Sequence, residues 1–202
     1  MVQSFNDMIN TIVEKVKGFL INPVETFQQS KNDETVTVFS FFGILLLIHA
    51  VLSAIIAGIW VQRTQMFAGM PWVDNAPVMV FFFVLVGGFI CTLIFAAWLH
   101  LWVYLLGGRK GIMQTVNAII YGHTPRLLLG WIPFVGFIFM LWSLVLSILG
   151  IRELHEMSTI KAILAVAIAV MIPVILLILV AAYFITTNMV ISPVPHPMGN
   201  TL

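Results

Sequence analysis

Charge is what this sequence has least of. Only 8% of its 202 residues are Asp, Glu, Lys or Arg, while 61% are hydrophobic. A soluble globular domain cannot cover itself with so little polar surface, so that class is excluded. Nine basic against eight acidic residues leave almost no net charge, which excludes nucleic acid as a natural partner. Cysteine is nearly missing too: Cys91 alone cannot close an intrachain disulfide, and nothing about redox compartment follows from it. Catalytic signatures are also missing. There is no Gly-x-Ser-x-Gly elbow and no phosphate loop, and His155-Glu156-Met157-Ser158 begins like a zinc protease motif without its second histidine. The chain therefore reads as no enzyme, with no metal and no cofactor.

Long apolar runs are what the sequence does have. Five spans fit at Val38–Val61, Val78–Leu106, Ile112–Gly130, Pro133–Ile151 and Ile160–Ile185, each near the ~20 residues needed to cross hydrocarbon. The third is the least apolar and pairs with the fourth through a tight Trp131-Ile132 turn. The expected fold is all-α: a polytopic membrane protein of five transmembrane helices preceded by an amphipathic cytoplasmic helix. Its divisions are a cytoplasmic segment over 1–35, a transmembrane domain over 36–186, and an extracytoplasmic proline-rich tail over 187–202. Lys15, Lys17, Lys31, Arg109, Lys110, Arg152 and Lys161 fall on one side of these spans and Arg63 on the other. That bias predicts a multi-pass protein of the cell membrane with a cytoplasmic N-terminus and an extracytoplasmic C-terminus.

Aromatic residues sit where such spans end. Trp60, Trp72, Trp131 and Tyr183 mark the outer ends, and Trp98, Trp102 and Tyr104 lie toward an inner end, all consistent with interfacial anchoring. Trp142, in mid-span, is expected in the core. Ala54 with Gly58, Gly88 with Thr92, and Ala165 with Ala169 are small pairs at four-residue spacing that let helices touch, and they permit a homo-oligomer without requiring one.

Ahead of the first span, Val2, Phe5, Ile9, Ile12, Val16 and Phe19 recur at three- and four-residue spacing. This gathers them on one face of a helix that lies on the membrane surface or docks on the bundle. Asp7, Glu14, Lys15 and Lys17 interrupt the stretch, so it does not read as a secretory leader. Asn22-Pro23-Val24-Glu25 predicts a second short helix from Pro23 toward Ser30, with Asn22 as its cap.

Polar residues inside the spans form one candidate site: His49, Asn117, Tyr121, His123, Pro125 and Arg126. Eleven residues into their spans, His49 and His123 each lie ~16 Å from the inner end. On a continuous helix, Asn117, Tyr121 and Thr124 share one side, while Thr115, His123 and Arg126 share the opposite one. Pro125 has no N–H and is expected to kink or break the helix, freeing the Tyr121 carbonyl for a donor such as His123, Arg126 or water. The constellation serves either to satisfy polar groups within the bundle or to hold a substrate. A second candidate is the inner loop with Arg152, Glu153, His155, Glu156 and Lys161, read as a docking surface or as a salt-bridge clasp. Beside it, Gly107-Gly108-Arg109-Lys110-Gly111 forms a basic turn that can meet anionic lipid headgroups.

Tyr121-Gly122-His123-Thr124-Pro125, then Ile132-Pro133-Phe134-Val135-Gly136, Trp142, Gly150-Ile151, His155, Ser158 and Lys161-Ala162 occur in an order that resembles the Yip (Ypt-interacting protein) domain family. Asn22-Pro23 with Glu25-Thr26-Phe27 resembles the segment before the first span of prokaryotic members. The resemblance covers Asn22 to Ile185 and implies five helices with a cytoplasmic N-terminus. The leading expectation beside it is a non-enzymatic membrane-organising or partner-docking role with a trafficking-like character, whose partners are the bilayer and either a cytoplasmic protein or anionic lipid headgroups. Eukaryotic relatives bind small GTPases, but this chain has a short N-terminal region and no Asp-Leu-Tyr-Gly-Pro-like motif, so it resembles a prokaryotic-type member. A small transporter or channel-like protein, with its polar site around the Pro125 break, is the alternative.

Overall fold

Apolar helices with few places to turn give a chain that is helix almost throughout. A computed structural model describes residues 2–63, 70 and 73–191. It is 87% helix, with no strand among the described residues. Trp72 and the tail beyond residue 191 lie outside the described residues, as do the side chains of Val2, Phe5, Asp7 and Arg63.

The elements run α1 (Val2–Ile21), α2 (Pro23–Gln29), a 3-10 turn (Ser30–Asn32), α3 (Thr35–Arg63), α4 (Ala76–Phe82), a π turn (Phe83–Gly87), α5 (Gly88–Leu105), α6 (Ile112–Gly122), α7 (Thr124–Leu129), α8 (Val135–His155) and α9 (Thr159–Ile191). Four stretches are long and apolar enough to cross a membrane: Thr35–Val61, Ala76–Leu105, Val135–His155 and Thr159–Thr187. The second runs through the π turn, a local widening of the helix by one residue. Neither α6 nor α7 is long enough alone, because the third apolar stretch is divided at His123.

Pro125 explains the division. With Pro at the first turn of α7, the amide that would reach the Tyr121 carbonyl is missing. His123 takes φ −78° and ψ −2°, ending α6. The donor for that carbonyl is neither His123 nor Arg126 but the Thr124 hydroxyl, 2.6 Å from it. Pro173, inside α9, poses the same problem, and the carbonyl four residues before it is Ala169. The Trp98 indole N–H donates to that oxygen at 2.9 Å. Trp98 is thus more than an interfacial anchor: it crosses from α5 to satisfy a carbonyl that a proline left open.

α6 and α8 run antiparallel in close contact. A methyl on Gly122 would stand 2.7 Å from Ser147 Oγ, and one on Gly150 would stand 2.8 Å from the Phe27 ring and 3.1 Å from Ala118 Cα. The small residues expected to mark helix contacts are likewise used within this chain. Gly58 faces Pro77, Gly88 faces Leu46, and Ala165 and Ala169 are fully buried. Trp142 departs from expectation. It is 39% exposed and faces away from the bundle with Phe137, Ile138 and Leu141, because the N-terminal half of α8 has few neighbours to pack on.

α2 starts at Pro23 as its sequence predicts, but Asn22 makes no side-chain bond to the helix backbone. Its amide donates to the Glu25 carboxylate instead. Phe27 on α2 and Phe19 on α1 are fully buried, their rings 4.8 Å apart. Phe19 in turn stacks on Tyr121 at 4.7 Å, and Phe41 meets Tyr121 edge-on at 5.3 Å. Ile12 and Phe19 of α1 are buried, whereas Ile9 and Val13 are exposed.

Candidate functional site

The residues expected to form one intramembrane site fall into two groups. Asn117 and Tyr121 point into the packed interior, 2% and 0% exposed. The Tyr121 hydroxyl donates to Asp33 Oδ2, the same oxygen that pairs with the Lys15 ammonium. Lys15 also donates to Ser30 Oγ at 3.0 Å and lies 5.1 Å from the centre of the Tyr121 ring. Tyr121 therefore ties α6 to the N-terminal segment rather than to His123. Lys15 and Asp33 were not evident from the sequence as partners of Tyr121. The one available signal was an acid and a base flanking an otherwise apolar N-terminal face.

His49, His123 and Arg126 make the second group. His49 Nδ1 lies 3.1 Å from the Leu127 carbonyl oxygen, which can only accept, so Nδ1 carries the proton and joins α3 to α7. The Arg126 backbone N–H donates to Ser143 Oγ at 3.0 Å, fixing α7 to α8. Its side chain is exposed, and it takes part in none of the ion pairs among the described residues.

Where α8 turns into α9, the expected docking loop is largely occupied by the chain itself. Gln28 on α2 donates to Glu153 at 2.9 Å, and Arg152 holds the other carboxylate oxygen at 2.7 Å. Glu156 closes α8 in a left-handed conformation, φ 54°, which turns its carboxylate toward Lys31 and Lys110. Gln114 donates to the Lys31 carbonyl at 3.1 Å. His155 is buried, and the Thr115 hydroxyl bridges it to His100, 2.9 Å from His155 Nε2 and 2.8 Å from His100 Nδ1. A hydroxyl has one proton, so one ring offers its lone pair there and the other its N–H. Lys161 remains exposed, close above Gly107. Arg109 stacks 3.8 Å over the Tyr104 ring. No three His, Cys, Asp or Glu side chains come together among the described residues.

The hydrogen bonds and charges of Lys110 and Lys31 hold the Glu156 carboxyl down at about 2. A carboxyl depressed on folding contributes stability above its unfolded value, near 4.5 here, and loses that contribution as pH falls toward 2. The stability gap between the wild type and Glu156→Gln should therefore be constant from pH 8 to about 5 and shrink below about 4.5. High salt should shrink it as well, since the pair is exposed. Unfolding in micelles across that pH range checks both expectations.

An all-helical bundle with four stretches long and apolar enough to cross a membrane, and an N-terminal segment packed on its helix ends, defines an integral membrane protein rather than a soluble binding module. A family model for the Yip1 domain matches residues 17–182, and the chain belongs to that family. Neither a curated protein nor a solved structure matches it.

Proposed function

We propose that this Yip1-domain protein is a prokaryotic-type, non-enzymatic membrane-organising factor of the cell membrane that crosses the bilayer five times from a cytoplasmic N-terminus. The third crossing is α6 and α7 together. Their 11 and 6 residues, with His123 between them, rise ~27 Å, close to the ~30 Å of a hydrocarbon core. Seven basic residues on the inner side against Arg63 on the outer give the orientation.

The observation that carries the role is the docking of α1 and α2 on the inner helix ends. Lys15, Phe19, Phe27, Gln28 and Lys31 all engage the bundle, which leaves Ile9 and Val13 apolar and exposed. Held in that position, α1 acts as an amphipathic helix lying in the inner headgroup layer, where it perturbs lipid packing or receives a cytoplasmic partner. Asn117 and Tyr121 are packed shut, which weighs against a hydrated transport path through them.

Reconstitution into vesicles at rising protein-to-lipid ratio tests the role. The wild type should change vesicle size or shape in cryo-electron micrographs, and Ile9→Glu with Val13→Glu should lose that effect while still eluting as a folded protein. Vesicles left unchanged by the wild type would refute it.

A further inference from the structure

Arg126 poses a problem that the membrane-organising role does not address. A guanidinium stays protonated under all ordinary conditions, and a charge in hydrocarbon costs at least ~2.5 kcal/mol. Such groups usually pair with an acid, yet Arg126 joins no ion pair among the described residues and its side chain is exposed. Asp74 is the one acid on the α7–α8 side of the chain, and it too joins none of those pairs. Arg126 lies three residues from the end of α7, ~4.5 Å of rise, so its long side chain reaches headgroup level.

Among the described residues, no carboxylate pairs with Arg126, and two imidazoles lie on or against its helix. The Leu127 N–H donates to the His123 carbonyl at 2.9 Å, so the helical path continues there and His123 shares a face with Arg126. The His123 ring makes no hydrogen bond to another described residue, which leaves its N–H free to donate. His49 has committed its proton to Leu127 and offers only a lone pair, which an anion cannot use. The backbone of Arg126 is fixed by Ser143, so the guanidinium projects from a held position.

We propose that Arg126 and His123 form a binding site for the phosphate of an anionic phospholipid headgroup, in the leaflet on the side of the α7–α8 turn. Arg126 supplies the charge and a forked pair of donors, and His123 adds a third donor. His49 positions α7 and stays outside the donor set.

Native mass spectrometry of the full chain, released from nanodiscs of mixed phosphatidylglycerol and phosphatidylcholine, tests this. The wild type should retain phosphatidylglycerol over phosphatidylcholine by about tenfold, the value of one charge-assisted contact. Arg126→Gln should bring that ratio close to one, and Arg126→Lys should keep part of it, which separates lost charge from lost folding. His123→Leu should lower it about threefold. His49→Asn, which keeps a donor for Leu127, should leave it unchanged. An Arg126→Gln protein that folds and keeps the full preference would overturn the site. Displacement of the lipid by millimolar inorganic phosphate would overturn the lipid as its occupant.

Discussion

Asp33→Ala should lower the stability of the purified protein by about 3 kcal/mol, the usual cost of leaving one member of a largely buried ion pair without its partner. Lys15 and the Tyr121 hydroxyl both end on Asp33 Oδ2, and the Lys15 and Asp33 side chains are only 16% and 18% exposed. Without the carboxylate, Lys15 keeps its charge over the Tyr121 ring with no anion to answer it. Tyr121 meanwhile keeps a buried hydroxyl whose one remaining hydrogen-bond partner among the described residues is Lys15, 3.5 Å away. Removing both charges, as Lys15→Met with Asp33→Asn, should restore most of the loss, because a pair removed together leaves no orphan. Denaturant unfolding in micelles gives these values and those of Lys15→Met and Asp33→Asn alone. A loss in the double variant equal to the sum of those two single losses would show that the pair does not hold α1 to the bundle.

Gly122→Val should cost at least as much, and through packing instead of charge. A Cβ there would meet Ser147 Oγ at 2.7 Å, Ser147 N at 2.9 Å and Ser147 Cα at 3.0 Å, and backbone atoms cannot swing aside. Overpacking of this kind costs about 1–3 kcal/mol for an added methylene, and a branched side chain adds more. α6 would have to leave α8, taking Thr115 away from His155 and the Arg126 amide away from Ser143. Gly43 is the matched control. A Cβ at that position meets nothing within 4 Å, so Gly43→Ala should be neutral or slightly stabilising, since alanine favours helix. Equal losses at both positions would refute the close α6–α8 contact.

Much of the architecture is legible in the chain because bilayer thickness and proline act locally. Pro23 opens α2 and Pro125 ends the helix before it, each through a missing N–H that needs no tertiary knowledge. What the chain could not disclose is who answers the groups that proline and charge leave open. Trp98 and Ala169 lie 71 residues apart, and Asp33 and Tyr121 lie 88 apart. No periodicity connects such pairs. The expected polar site divided for a related reason. At 100° per residue Asn117 and Tyr121 already lie opposite His123 and Arg126, and it is the distant partners, Asp33 for Tyr121 and His49 for the Leu127 carbonyl, that make the two sides separate groups. The loop after α8 was open to either reading from sequence, and the contacts of Glu153 with Gln28 and of Glu156 with Lys31, 125 residues away in each case, are of the same long-range kind.

The N-terminal segment and α8 should seal α6 and α7 against water. Single cysteines at Asn117, Ala118 and Arg126, in a Cys91→Ala background, can be challenged with a membrane-impermeant thiol reagent from each side of sealed vesicles. Asn117 and Ala118 are packed shut, at 2% and 0% exposure, and should stay unreactive from both sides. Arg126, being exposed, should label from the side of the α7–α8 turn alone. Labelling at Asn117 and Ala118 in a protein that still folds would mean water runs through the crossing, and the sealed-bundle account would give way to transport.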